Sequence, residues 1–384
     1  KEINEDAHIC FFGLYAPINE DHLVELGADT VLGGEFEEGL VNVYNRVIGH
    51  PREPLVQTEP RISLRRQKFK VPDRTGLPGL AKYARLQVSP EVSRLVGYTE
   101  ASRGCQHLCR HCPVVPVYNG RFVVVQPDIV LEDIRRQVRS GAEHITFGDP
   151  DFFNGPTHGL RIARRMHKEF PDLTYDVTIK VEHLAKHAHL LPDLAKTGCV
   201  LVTSAVESFD DRTLERFDKH HTRADLEVVI DVLRRAGLNL NPTFVTFTPW
   251  TTLDGYVEFL STLAALDLVD HMTPVQYAIR LLIPAGSKLL ELPEITDLVG
   301  EFDERELVYP WRHPDPDVDR LFAEIARIVQ QGQAAGMSRI EIFNEVWGAA
   351  NTAGGHDAAP LFEPHVDDVP PRATIPYLTE PWYC

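Results

Sequence analysis

The chain has 384 residues, 43% of them hydrophobic and 25% charged, enough for one large barrel or two domains with a substantial core. Against 39 Lys and Arg stand 56 Asp and Glu, a net charge of −17, and a field of that sign repels phosphate backbones; nucleic acid and anionic membranes are poor partners for it. No apolar run is long enough to span a bilayer, the first residues lack a targeting pattern, and six cysteines in so long a chain make no secreted disulfide framework, so a reducing, cytoplasmic setting is expected.

In chain order, His8 to Tyr15 reads as a buried strand bounded by Pro17, and Asp21 to Leu26 as a short helix closed by Gly27. Ala28 to Glu35 is a second strand ending in a glycine turn. A helix with Leu40, Val43 and Val47 on one face follows. Residues 1–50 thus read as half of an open α/β sheet. Residues 51–96 carry Pro51, Pro54, Pro60, Pro72, Pro78 and Pro90, which argues for an extended connector draped over the surface. The basic run Arg61 to Lys70 inside it reads as solvated.

From Gly97 the alternation of strand and helix becomes regular. Strands are expected at His144–Phe147, Leu173–Val181, Cys199–Ser204, Leu240–Phe247 and His271–Leu282, with helices between them. Six such units imply a parallel sheet wrapped into a partial barrel, because each crossover must be right-handed. Amphipathic helices follow at 317–335 and 338–349. The last stretch, 358–384, is rich in Pro and aromatics without a period and reads as a loop or tail.

Within Gly97 to Pro113, Cys105, Cys109 and Cys112 stand at C-x3-C-x2-C spacing in a polar, glycine-containing loop. Thiolates are soft ligands suited to zinc or iron–sulfur clusters, and such close spacing lets one loop wrap one cluster. Three ligands leave one iron of a four-iron cluster open. Zinc, with His107 or His111 as fourth ligand, is the competing reading, but the spacing departs from C-x2-C pairs and no second pair follows.

The motif resembles the signature of the radical S-adenosylmethionine (SAM) superfamily, with His111 where an aromatic residue is usual. Over residues 97–290 the resemblance implies a partial (β/α)6 barrel. It also implies a [4Fe–4S] cluster on Cys105, Cys109 and Cys112, SAM as cofactor, a small-molecule substrate and an external electron donor of the flavodoxin or ferredoxin type. Gly33 to Glu38 resembles the end of the Rossmann-like cobalamin-binding domain that precedes many such barrels. The nearest cobalt-ligand pattern, Asp6-Ala-His8, is followed by Phe11 where glycine belongs, so a truncated form working without cobalamin is expected. The expected organisation is α/β: a small Rossmann-like domain (1–50), a linker (51–96), the partial barrel (97–290) and a helical extension with its tail (291–384).

Ligands of parallel α/β folds bind beyond the carboxyl ends of the strands. There, Gly148, Asp149 and Pro150 resemble the superfamily's G-G-E-P turn, which receives the SAM amino group; a plain turn is the alternative. Ser204 and Glu207 are expected to face SAM, and Arg223 either pairs with the SAM carboxylate or is surface charge. His220 and His221 read as solvated or capping. Thr246 is expected to flank adenine, Gln276 resembles the adenine-side loop, and Arg280 is expected to hold a carboxylate. Cys10 and Cys199 read as core. Cys384, after Thr379-Glu-Pro-Trp-Tyr383, resembles the terminus of the CUAEP/CCAEP-tail radical SAM proteins. That points to the arsinothricin-biosynthesis type, in which a 3-amino-3-carboxypropyl group passes from SAM to trivalent arsenic, with Cys384 and Arg280 as catalytic residues. The alternatives are a conventional 5′-deoxyadenosyl-radical enzyme and a non-catalytic iron–sulfur or zinc protein.

Overall fold

The computed structural model describes residues 4–49, 57–89, 91–357, 359–362 and 376–379. The chain order begins β1 (Cys10–Phe12), α1 (Glu20–Glu25), β2 (Thr30–Gly34), α2 (Glu37–Gly49), β3 (Ile62–Ser63), β4 (Arg85–Gln87) and β5 (Ser93–Thr99). Next come β6 (Ser102–Gly104), α3 (Val115–Tyr118), β7 (Phe122–Val124), α4 (Pro127–Arg139), β8 (His144–Phe147), α5 (Pro156–Glu169) and β9 (Thr174–Thr178). Then follow α6 (Val181–Lys186), α7 (Leu191–Lys196), β10 (Cys199–Glu207), α8 (Asp211–Phe217), α9 (Arg223–Ala236), β11 (Asn239–Phe244) and α10 (Leu253–Ala265). The last are α11 (Pro293–Thr296), α12 (Pro316–Ala335), α13 (Arg339–Ala353) and β12 (Tyr377–Leu378).

Two compact units emerge, the first made of Lys1–Phe69, Arg103–Val123 and Leu282–Trp311. Its centre is a parallel sheet in the order β1-β2-β3. Every residue of β2 is buried, as expected of the middle strand of a parallel sheet. The third strand comes from the Pro-rich connector, which is therefore not merely draped: Ile62 and Ser63 pair with Gly33 and Gly34. The Gln57 side chain also brackets Val31, accepting from its N–H and donating to its carbonyl, both at 3.0 Å.

The second unit, Lys70–Ser102, Val124–Leu281 and Arg312–Cys384, holds a curled half-barrel sheet in the order β11-β10-β9-β8-β5-β4-β12. The strands from β5 to β11 are parallel, as the alternation predicts. α4 starts on Pro127 and buries Val130, Leu131 and Ile134. α9 begins with a capping box between Thr222 and Asp225 and buries Leu226, Val229, Ile230 and Leu233. The helix expected between the strands at Leu173–Val181 and Cys199–Ser204 is broken into α6 and α7, with Pro192 in the first turn of α7.

Three further expectations are corrected. The sixth strand does not form: Val269–His271 and Pro274–Ala278 are short 3-10 turns, and only Arg280 bridges in parallel to Phe247. Pro274 lacks the N–H a ladder needs, and the Gln276 side chain takes the strand's place by accepting from Phe244 N at 2.9 Å. The connector also enters this sheet, since β4 pairs antiparallel with β5, and Arg74 ion-pairs with buried Asp133 of α4. The tail is not all loop: β12 pairs antiparallel with β4, and Thr379 exchanges hydrogen bonds with Arg85. No helix of the described residues is long and apolar enough to cross a membrane.

Candidate functional site

The cysteine loop belongs to the first unit. Its stem turns at Gly104, at φ +76°, where a Cβ would collide with the Tyr118 ring and the Arg121 carbonyl. None of Cys105, Cys109 and Cys112 is in a disulfide; Cys109 is buried and the other two are half-buried. Cys112 N donates to the Cys109 carbonyl at 3.1 Å and Val115 N to the Cys112 carbonyl at 3.2 Å, so the ligand-bearing segment is wound into tight turns. Arg103 ion-pairs with Glu37 at 2.5 Å and with Glu35 at 3.5 Å, and Tyr118 donates to Glu35 at 3.0 Å. Burial pushes the Glu35 carboxyl above its usual range, against the pull of Gln67, Arg103 and Tyr118. The Gly33–Glu38 turn thus grips both ends of the cysteine loop. Three soft, unoxidised donors in one short wound loop fit an iron–sulfur cluster with an open iron.

The second unit has its own candidates, beyond the carboxyl edge of its sheet. Beyond β8, Gly148 is obligatory because a Cβ there would run into the Tyr98 ring. The buried Asp149 carboxylate accepts from Ala101 N at 2.8 Å and Ser102 Oγ at 2.6 Å. Burial, ahead of its hydrogen bonds, pushes its pKa up to about 7. Both oxygens are thereby engaged with the segment leading into the cysteine loop, which His158 also holds through the Ala101 carbonyl at 3.2 Å. Pro150 and Asp151 complete the turn, and the Asp151 side chain caps the next one by accepting from Phe153 N.

Strand alternation decides which β10 residues face the concave side. Asn241 donates to Thr203 Oγ1 at 3.1 Å, and register aligns Thr203 with Thr178. The same face carries His144, Thr146 and Asp176, where Asp176 Oδ1 meets His144 Nε2 at 2.9 Å and Thr146 Oγ1 at 2.6 Å. Ser204 lies on the opposite face with Val202 and Val206, wholly buried, its hydroxyl without a partner. Tyr175 on that face donates to Leu194 O of α7. The expectation that Ser204 faces a ligand is thus not met; the adjacent Thr203 holds the concave position.

Glu207 ends β10 after a bulge, in a left-handed conformation at φ +70° that non-glycine residues adopt at a cost. Its carboxylate pairs with buried Lys219 at 3.2 Å. Lys180, just past β9, pairs with Glu182 at 3.0 Å. Lys180 and Lys219 escaped the sequence reading, their only signal being their place just after a strand or its helix; His221, read as solvated or capping, is instead buried. His220 behaves as expected, exposed and bonded to Asp218.

The remaining candidates are engaged elsewhere. Arg223 starts α9 and ion-pairs on the surface with Glu227 and Glu258, at 3.2 and 3.3 Å. Thr246 Oγ1 reaches the carbonyls of Gln276, Tyr277 and Ile279 within 3.2 Å. Arg280 does hold a carboxylate, but the chain's own: Asp319 at 2.7 Å, with its guanidinium over Phe322. Cys384 lies outside the described residues.

Residues 99–260 match the model of the radical SAM superfamily. This part of the chain belongs to that superfamily. The tRNA-2-methylthio-N(6)-dimethylallyladenosine synthase of Desulfosudis oleivorans is 27% identical over 208 residues, 51% of this chain and 43% of that protein. The hopanoid C-3 methylase of Methylococcus capsulatus is 22% identical, over 39% of this chain and 29% of its own. The chain thus spans less than half the length of these relatives. Its fold is similar to that of apo OxsB, a cobalamin-dependent SAM radical enzyme, at TM-score 0.63 and 14% identity over 84% of this chain and 54% of that one. It is also similar to the radical SAM methyltransferase TsrM of Kitasatospora setae, at TM-score 0.57 and 19% identity over 76% and 58%. TsrM has also been solved with cobalamin bound. These neighbours lend no support to the expectation that this chain dispenses with cobalamin.

Proposed function

We propose that the chain is a transferase-type radical SAM enzyme acting on a small molecule with electrons from an external donor. The observation that carries the reading is the trio of reduced thiols, Cys105, Cys109 and Cys112, in one tightly wound loop of a radical SAM domain. When bound there, a [4Fe–4S] cluster supplies the electron that reductively cleaves a carbon–sulfur bond of SAM. Asp149 steadies the stem of that loop. Glu207, held by Lys219, presents a fixed carboxylate at the strand ends for the polar groups of a ligand. The concave face, with Thr203, Asn241 and the His144–Asp176 pair, offers a polar wall to a small substrate.

A finer reading has the 3-amino-3-carboxypropyl group pass from SAM to trivalent arsenic held by the Cys384 thiol, a soft donor for a soft acceptor. Strand direction supports it. β12 is antiparallel to β4, which is antiparallel to β5, so β12 itself runs toward the carboxyl edge. Five residues separate Thr379 from Cys384, a reach of about 17 Å. The test is product analysis with labelled SAM. Methylthioadenosine that rises with arsenite supports the finer reading, 5′-deoxyadenosine supports conventional radical chemistry, and no cleavage at all by the reduced, cluster-loaded chain defeats the enzyme reading.

A further inference from the structure

Asp176, in the middle of β9, is 4% exposed and lies on the concave face of the half-barrel. A chain of donors orients its carboxylate. Arg94 Nη1 donates to Thr174 Oγ1 at 2.9 Å. The hydroxyl's own hydrogen has His144 Nδ1 at 2.8 Å as its nearer acceptor, the Glu143 carbonyl being 3.5 Å away. That order puts the imidazole hydrogen on Nε2, where it is given to Asp176 Oδ1 at 2.9 Å. The Thr146 hydroxyl donates to the same oxygen at 2.6 Å.

The second oxygen is different. Among the described residues Oδ2 accepts no hydrogen bond, and it keeps access to open space instead of being sealed in the core. His144 is also the only Lys, Arg or His of the described residues within ion-pair distance of this carboxylate. A carboxylate withdrawn from water is costly unless it is paired, so one oxygen held and one left open mark a place for an outside partner. The surroundings set the size and character of that partner. Leu201 stands beside Asp176 in register, while Thr203, aligned with Thr178, receives Asn241 Nδ2 one row nearer the strand ends. An aliphatic neighbour, a hydroxyl and an amide around one open carboxylate oxygen fit a short aliphatic cation.

We propose that Asp176 Oδ2 recognises a cationic nitrogen of the small substrate, an alkylammonium or amidinium group, with His144 and Thr146 orienting the carboxylate. The inference rests on the reading of this face as the substrate wall; the ammonium of SAM is the other source of the same chemistry.

The test compares two probes of equal length, n-butylammonium and n-butanol, binding to the full, anaerobically cluster-loaded chain, with thermal midpoints taken alongside. Wild type should bind the ammonium at least about 10-fold more tightly than the alcohol, and Asp176→Asn should lose that preference. Leu201→Lys tethers an ammonium beside Asp176 and should likewise exclude the probe, so the reading does not hang on one variant's folding. Equal binding of both probes by wild type, or a preference that survives in a folded Asp176→Asn, overturns the proposal. Saturating SAM should leave the preference of wild type in place. If SAM displaces the butylammonium, the cation recognised is the cofactor's own and the substrate class falls. SAM cleavage by wild type is scored separately: cleavage without the preference sinks this proposal alone. A preference without any cleavage leaves a cation site with no reaction to feed, which defeats the enzyme reading and the substrate assignment together.

Discussion

The Ser102 hydroxyl donates to the Asp149 carboxylate at 2.6 Å, and both residues are buried. A glutamate in this turn has one more methylene and can reach outward; the shorter aspartate is satisfied at once by Ser102 and Ala101. The acid is thereby tied to the segment that leads into the cysteine loop.

That burial has a pH signature. A carboxyl whose folded pKa, about 7, lies above its unfolded value binds its proton more tightly in the folded chain. Its contribution favours the fold at low pH and is lost as pH rises from about 4 to about 7. Urea unfolding across that interval should show a steeper loss of stability for wild type than for Asp149→Asn, which has no proton to release. Equal slopes would remove the claim. Asp149→Ala should also lose cluster content, measured as iron per chain.

Cluster loading is the most direct check on the three thiols. Anaerobic reconstitution should give about four irons per chain and an electron paramagnetic resonance signal that SAM alters. The triple Cys105→Ala, Cys109→Ala, Cys112→Ala variant should hold none. Zinc in place of iron would return the site to the competing reading.

The sequence expectation against cobalamin and the cobalamin-bound fold neighbours point in opposite directions, and absorbance spectra can separate them. His8 Nε2 already meets Thr30 Oγ1 at 2.9 Å, so it is engaged within the chain. The expected outcome is no corrinoid spectrum after incubation with hydroxocobalamin and gel filtration. Bound corrinoid, or activity that depends on it, would reverse the expectation.

For the tail, reduced enzyme with SAM should give more methylthioadenosine when arsenite is present, and Cys384→Ser should abolish that increase. If arsenite leaves the products unchanged and both proteins give mainly 5′-deoxyadenosine, the role of Cys384 goes and the arsenic assignment with it.

Periodicity and punctuation carried most of the fold. Pro127 and the apolar stripe of α9 mark helices that stand between the strands, where the alternation sets them. What the pattern could not carry is which partner a polar side chain finds. Arg280 required a carboxylate, but nothing near it in sequence names Asp319, 39 residues on. Ser204 and Thr203 differ by one step of a two-residue period, and only the Asn241 bond shows which faces inward. The surface role of Arg223 was legible, since Glu227 stands four residues along its helix. His221 was hidden because a doubled histidine in a polar turn looks solvated, whereas paired left-handed residues turn one ring out and bury the other.

The grip of Glu35 on Tyr118, with Arg103 between Glu35 and Glu37, sets a limit on how this protein can be dissected. A chain cut at residue 97 would keep all three loop thiols yet leave Arg103 without its two carboxylates and the Tyr118 hydroxyl without its acceptor at Glu35. The ligand loop would then have to hold its turns without that grip while iron is delivered. Metal assembly in this protein is in that sense a property of the N-terminal segment as much as of the cysteines, and transplanting the motif alone onto another barrel would carry the ligands without the structure that shapes them.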